Sequence, residues 1–470
     1  MGCNKSVPEE IVRQQSMPED FHISSLAKQR SNRVITKAVG SINDHFKIQK
    51  VIGTNNLGTW LYAQDIQSGN FRAIREVNKS LAKKGSNLFA ELEALTLMDH
   101  PNIVKVYQTI ETQKNYYIVF EYLEGGTLKS KIRRPGDEMM VSKYIHEVIG
   151  AIKYVNILGY IHCDLSPEHI MFNNSDKEVV PKLLHFSYAQ KIYDVQYPGI
   201  KNLSYLYMSP EIIKKNFNEK TDMWSIGVIA YELLVGKHPY TSKEKHEILR
   251  EIYKGELDFE NPNFTSLSFS AQDFIKKLLQ VNPEERISAK DALNHPWLSL
   301  ATKEFYMTYE ALIKLKNFKI HGNVCREILK EINSKIDFKE HDIIALFKEL
   351  DTDSDGTVYK DEIVKAFSQV GVDASHEVDK IMANIDIDSS GSLDFTEIKI
   401  ALIEWEKELT KKNLAKVFKT DEGNITIESL KQKFNVVLPH EWNEFYKKVQ
   451  MTNNQVNLKN LKHYLKSNIG

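Results

Sequence analysis

The stretch Asp351-Thr352-Asp353-Ser354-Asp355-Gly356-Thr357-Val358-Tyr359-Lys360-Asp361-Glu362 constrains this chain more than any other. Positions 1, 3, 5, 7, 9 and 12 of this twelve-residue loop are Asp351, Asp353, Asp355, Thr357, Tyr359 and Glu362. A calcium ion takes roughly six to eight oxygens, and this spacing supplies them from carboxylates and a main-chain carbonyl. Gly356 at position 6 provides the sharp turn. The flanks carry apolar residues at helical spacing (Ile343, Ile344, Leu346, Phe347; Ile363, Val364, Ala366, Phe367), so the unit reads as helix–loop–helix. A second loop repeats the pattern with Asp386, Asp388, Ser390, Ser392, Asp394 and Glu397 around Gly391. A lone acidic turn would match part of this pattern. Two turns one helical hand apart point to a paired calcium site, with Val358 and Leu393 bridging the loops.

A chain of 470 residues has room for two or three domains. With 62 basic and 63 acidic residues it lacks the basic excess of a nucleic-acid binder. Cys3, Cys163 and Cys325 lie far apart and fit neither a disulfide framework nor zinc spacing, which indicates a reducing, cytoplasmic setting. No apolar run has the length of a membrane span. The chain opens Met1-Gly2-Cys3-Asn4-Lys5-Ser6, an acylation pattern with Gly2 as myristoylation site and Cys3 as palmitoylation site. One acyl chain holds a protein only marginally, and the basic residues before position 45 are matched by nearby acids, so Cys3 is the expected second anchor. The expected location is the cytoplasmic face of a membrane.

Between this tail and the calcium loops a series of motifs runs in order. Alternating strands flank Ile52-Gly53-Thr54-Asn55-Asn56-Leu57-Gly58. There follow Phe71-Arg72-Ala73-Ile74-Arg75-Glu76, a helical stretch with Glu91, Asp99-His100-Pro101-Asn102, and Tyr117-Ile118-Val119-Phe120-Glu121-Tyr122-Leu123. His162-Cys163-Asp164-Leu165-Ser166-Pro167-Glu168-His169, Ser209-Pro210-Glu211, Asp222-Met223-Trp224 and Arg286 complete it. The series resembles a protein kinase, and the order tail, kinase, junction, calcium loops resembles the calcium-dependent protein kinases.

That resemblance implies an α+β bilobal kinase fold followed by an all-α, calmodulin-like domain. The expected divisions are a tail (1–44), a kinase-like domain (45–298), a junction helix (299–338), a calcium-binding pair (339–408) and a degenerate pair (409–470). It implies nucleotide positions at Gly53, Gly58, Ala73, Arg75, Glu121 and Leu123, with Phe120 closing the back of the pocket. It also implies scaffold roles for Glu211, paired with Arg286, and for Asp222.

At the catalytic positions the residues depart from the pattern. Arg75 replaces the phosphate-binding lysine that pairs with Glu91, and its planar fork has a different reach. His185-Phe186-Ser187 stands where a metal-binding Asp begins Asp-Phe-Gly, and His169 replaces the second Mg²⁺ ligand. Imidazole suits hard Mg²⁺ poorly. Ser166 replaces a phosphate-touching lysine and Cys163 an arginine, which leaves Asp164, the substrate-orienting base. Asn55 replaces a glycine at the phosphate turn, and Trp60 stands where a small residue packs on adenine. A pseudokinase is the expected reading, with Ca²⁺ as resident ion and with ATP and Mg²⁺ bound weakly or not at all. His169 and His185 together also suit a softer ion; space-filling is the plainer account of the two.

The last two hands keep helical spacing without the ligands. One loop ends at Ser429 where a bidentate Glu is needed, and the residues from Val449 to Asn460 contain no carboxylate. In the junction, Leu312, Leu315, Phe318, Val324, Ile328 and Ile332 offer helical anchors among lysines. They suit the groove of a calcium-opened hand, or a linker helix packed on the large lobe. The favoured function is a membrane-tethered calcium switch acting on a protein partner. An active calcium-dependent serine/threonine kinase and a calcium buffer are the alternatives.

Overall fold

The computed structural model describes residues 36–39, 41–55, 58–83, 88–131, 135–174, 179–193, 203–298, 309–336, 340–369, 376–418, 420, 423–434, 437–449, 451 and 454–469. The acylation positions Gly2 and Cys3, and the junction before 309, lie outside them.

The small lobe is a six-stranded sheet of β1 (Thr36–Val39), β2 (Phe46–Asn55), β3 (Gly58–Asp65), β4 (Phe71–Asn78), β5 (Val106–Glu111) and β6 (Asn115–Glu121). Its strand order is β1-β5-β6-β4-β3-β2. Alternation along each strand divides the side chains between two faces. Phe46, Leu61, Ala63, Ile74, Ile110 and Val119 form a core on one face. Ala73, Arg75 and Val77 point the other way, where helix α1 (Leu88–Leu97) packs. Register pairs Trp60 with Arg75, and Ala73 with Phe120, so these four share the cleft face.

The large lobe is built on α2 (Glu138–Ile157) and α3 (Thr221–Val235). Asp137 caps α2 by accepting from Met140 N at 3.0 Å, which satisfies one of the free amides of its first turn. All fifteen residues of α3 are buried, with Asp222 and Glu232 engaged in hydrogen bonds among the apolar majority. The two expected scaffold pairings are present. Arg286 Nη2 donates to Glu211 Oε2 at 3.0 Å with both side chains buried. Asp222 accepts from the amides of His162 (2.8 Å) and Cys163 (2.9 Å), fixing the catalytic loop where Cys163 adopts φ 67°.

The junction is two helices within the described residues, α4 (Tyr309–Asn317) and α5 (Asn323–Lys335), where a single helix was expected. The break is set by Gly322 at φ 86° and by a bridge that pairs Ile320 with Ile469. The expected anchors Leu312, Leu315, Phe318, Val324, Ile328 and Ile332 are all buried in one core shared with the calcium-loop helices. Those helices are α6 (His341–Leu350), α7 (Lys360–Gln369), α8 (Val378–Ile385) and α9 (Phe395–Leu402). The last pair comprises α10 (Lys411–Phe418), α11 (Ile427–Lys433), α12 (Pro439–Lys448) and α13 (Leu458–Asn468). Ile425 pairs with Val456 across a short ribbon, the counterpart of the Val358–Leu393 bridge in the first pair.

Candidate functional site

The cleft between the lobes is lined by residues that the fold brings together from six segments. Arg75 on β4 donates to Glu91 on α1 at 2.8 Å, and both side chains are almost fully buried. Ser187 Oγ donates to the same carboxylate oxygen at 2.7 Å. Helix α1 is therefore held against the sheet by charge and hydrogen bonding together.

Beside this network lies an aromatic stack. Trp60 from β3 is tilted on Phe120 with centroids 5.3 Å apart and meets His185 edge-on at 6.0 Å. The Arg75 guanidinium lies 6.0 Å from the Trp60 ring. His185 in turn lies 4.5 Å from His169. His169 Nδ1 is 2.6 Å from the Asp164 carbonyl oxygen, an atom that only accepts, so Nδ1 carries the proton. The Asp164 carboxylate accepts from Ser204 N at 2.9 Å.

Burial, reinforced by His169 and Arg75, pushes the His185 imidazole down to about 3, so it is neutral near pH 7. Burial, with a lesser contribution from Glu168, raises Asp164 against the opposing pull of His169 and the hydrogen bonds of Ser204. Ser166 Oγ is buried and has no hydrogen-bond partner among the described residues. Of the expected nucleotide positions, Ala73 and Arg75 face this cluster. Glu121 is engaged elsewhere, with Lys182 at 3.0 Å. Leu123 is buried, and Gly53 and Gly58 lie on β2 and β3.

The calcium loops have a different character. Asp351, Asp353 and Asp355 each place a carboxylate oxygen within 4.8 Å of the others, as do Asp386, Asp388 and Glu397. Main-chain amides fold each loop around its acids. Asp351 accepts from Asp355 N and Gly356 N at 2.9 Å, and Asp386 does the same for Ser390 N (3.0 Å) and Gly391 N (2.9 Å). Glu362 accepts from Thr352 N (2.8 Å) and Tyr359 N (3.0 Å), which curls the last ligand over the loop. Thr357 donates to Asp355, and Ser390 donates to the Ser392 carbonyl, both at 2.8 Å. Asp394 caps α9 by accepting from Glu397 N at 2.8 Å.

Burial and then the neighbouring carboxylates push Asp351 up to about 8 and Asp355 to about 6. Burial, Asp394 and Asp388 likewise raise Glu397 well above the usual range. Acids gathered this closely repel one another, and an oxygen-only donor set suits a hard divalent cation. Among the described residues the last helical pair contains no such cluster.

How the loops meet the kinase-like lobe is not legible from local residue spacing. Gly356 lies on the Tyr154 ring of α2, where a Cβ would fall 2.1 Å from the ring. Tyr154 OH accepts from Asp99 N at 2.8 Å, and Asp99 accepts from Thr396 N of the second loop at 3.1 Å. Lys348 pairs with Glu147 at 2.8 Å, and Lys153 lies 3.8 Å from Asp353, an expected calcium ligand. One tyrosine thus touches the first loop directly and the second through a single aspartate.

Residues 46–298, more than half of the chain, match the protein kinase domain. The chain belongs to the protein kinase family. Residues 340–403 and, overlapping them, 302–369 match EF-hand domain pairs, whose presence implies calcium binding. Along its length the chain is 28% identical to calcium-dependent protein kinase 4 of Plasmodium berghei, over 95% of this chain and 89% of that protein. It is 27% identical to calcium-dependent protein kinase 9 of Arabidopsis thaliana, over 85% and 77%. The combination of a kinase domain with EF-hand pairs makes it a homologue of these calcium-regulated kinases. The twitchin kinase region of C. elegans matches with a TM-score of 0.51 and 25% identity, over 56% of this chain and 48% of that one. Its likeness covers the bilobal kinase fold.

Proposed function

We propose that this chain is a calcium switch whose kinase domain transmits a signal through contact and does not transfer phosphate. The observation that supports this most directly is the continuous side-chain stack Phe120–Trp60–His185–His169. It occupies the adenine wall and both positions that hold Mg²⁺ in kinases, so these residues do not fit Mg²⁺–ATP. His169 commits one nitrogen to a carbonyl, and neutral His185 offers no charge to a metal. Phosphoryl transfer depends on positioned charge. Losing one such contact costs about 10²–10³ in rate, and several are absent here.

In this reading calcium entering the two acid-rich loops alters how they pack on Tyr154, Asp99 and Glu147. A protein partner senses the change, and an acylated Gly2 and Cys3 would keep the chain at a membrane. A second reading, an active serine/threonine kinase, draws on the retained Asp164 and the intact Arg75–Glu91 pair.

Calorimetry with Mg²⁺–ATP, together with phosphate transfer to a generic peptide with and without calcium, separates the two. The switch gives no nucleotide heat and no transfer. Turnover that Asp164→Asn abolishes would refute it. Small-angle scattering with and without calcium distinguishes a switch, which changes shape, from a buffer, which does not.

A further inference from the structure

The two EF-hand pairs carry opposite charge. Residues 340–403 hold fifteen acids and five lysines, a balance of −10, whereas residues 411–470 hold eleven lysines and five acids, a balance of +6. Lys411, Lys412 and Lys416 of α10 contribute to this excess, and a further three lysines lie on α13. That helix buries Leu458, Leu461, Tyr464, Leu465 and Asn468. Its outer side carries Lys459, Lys462, His463 and Lys466 and the helix contains no acid. At 100° per residue these four fall within an arc of about 100°, a single stripe along the helix.

Among the described residues none of the four has an acidic partner. Lys448, at the end of α12, donates to Asn468 at 3.3 Å, which brings Lys447 and Lys448 to the C-terminal end of the stripe. Glu444, which acts on the Tyr464 phenol, is the acid of α12 that faces α13. Met451, just beyond α12, exposes its apolar side chain.

We infer that this face of the last EF-hand pair binds anionic lipid headgroups and serves as a second membrane anchor. A helical row of lysines matches a flat, negatively charged surface better than a protein groove, which needs buried anchors. Whenever Cys3 is without its reversible acyl group, the one chain that Gly2 would carry needs a further attraction of this kind for stable attachment. The pair that lost its metal ligands is also the one whose charge suits such a surface, while the calcium pair would be repelled by it. The lysines, far from the N-terminus in sequence, supply the basic patch that the tail lacks.

The test uses the full-length, unacylated chain (Gly2→Ala), sedimented with vesicles of phosphatidylcholine alone or containing about one-third phosphatidylserine. The expected result is binding to the serine vesicles only, weakened by added salt. Lys459→Gln, Lys462→Gln and Lys466→Gln together should reduce binding on the order of a hundredfold, about fivefold per lysine. The substituted side chains lie on the outer side of the helix, and unchanged calcium calorimetry on the variant verifies that the chain is folded. Equal binding to both vesicles, none to either, or undiminished binding by the variant would overturn the inference. Failure on vesicles with retention on an immobilised poly-glutamate peptide would also overturn it, and would assign the stripe to an acidic protein. None of these outcomes depends on whether the kinase cleft is active.

Discussion

The Arg75–Glu91 pair allows the contact that holds helix α1 to the sheet to be measured without any catalytic assay. The two side chains are 2% and 3% exposed and their atoms are 2.8 Å apart. Substituting one partner of such a pair leaves the other charge in a site that water cannot reach, at a cost of about 3–5 kcal/mol. Glu91→Leu should lie at the upper end. Arg75→Met should cost less, because Glu91 keeps the hydroxyl of Ser187, and a hydrogen bond to a charged group contributes roughly 1.5–3 kcal/mol. The double variant replaces both charges with apolar side chains of similar length, and such exchanges are often close to neutral. Its cost should therefore fall short of the sum by about 3 kcal/mol or more, the signature of a directly coupled pair. Hydrogen exchange resolved to β4 and α1 is the appropriate assay, since it reads local opening where a global melt of several domains would not. A loss of 3 kcal/mol corresponds to roughly 150-fold faster exchange at those amides. Single variants that change exchange by less than about fivefold, or a double variant equal to the sum, would refute the idea that this pair holds the helix. Protection in the wild type that rises on adding Mg²⁺–ATP would refute the proposal of a nucleotide-independent scaffold.

Three further outcomes follow from the calcium loops. Glu362→Gln and Glu397→Gln should each reduce the calorimetric stoichiometry by one calcium from a starting value of two, with intact sites in the range of about 10⁻⁷–10⁻⁵ M. Gly356→Ala faces both a φ of +82° and a contact 2.1 Å from the Tyr154 ring, so calcium affinity at the first loop should fall at least tenfold. The companion Tyr154→Ala should change affinity there by removing the docking surface, while the isolated peptide loop would be indifferent to it. For pH, Asp351 and Asp355 sit near 8 and 6, above the ordinary 3.8. Their contribution to the stability of the calcium-free chain is complete below about pH 4 and is lost as pH rises through 6 towards 8. Calcium needs the ionised acids, so its affinity should rise over the same interval with release of protons, seen as a calorimetric heat that varies with the buffer.

The large-scale architecture was legible in the sequence because each part of it rests on local spacing. Six oxygens in twelve residues define a calcium loop without reference to the rest of the chain, and the predicted Val358–Leu393 bridge forms with N–O distances of 2.8 and 2.9 Å. The order of kinase motifs fixed the bilobal fold in the same way. Trp60 was recognisable as an oversized residue, but its partner His185 lies more than a hundred positions away, and no local spacing brings the two rings together. The division of the junction into two helices rests on Gly322, a local signal, and on Ile320 meeting Ile469, a pairing that no local rule anticipates. The seam through Tyr154, Asp99 and Glu147 was illegible for the same reason. These are ordinary helix and loop residues until the calcium loops are packed against them.

The tryptophan wedged between Phe120 and His185 also bears on pharmacology. If the proposed function holds, inhibitors that imitate adenine would compete with this side chain for space, and compounds selected against the kinase relatives should bind this protein poorly. Chemical control of it would have to come through the Tyr154 seam, where a small molecule could separate the calcium hands from the lobe they rest on.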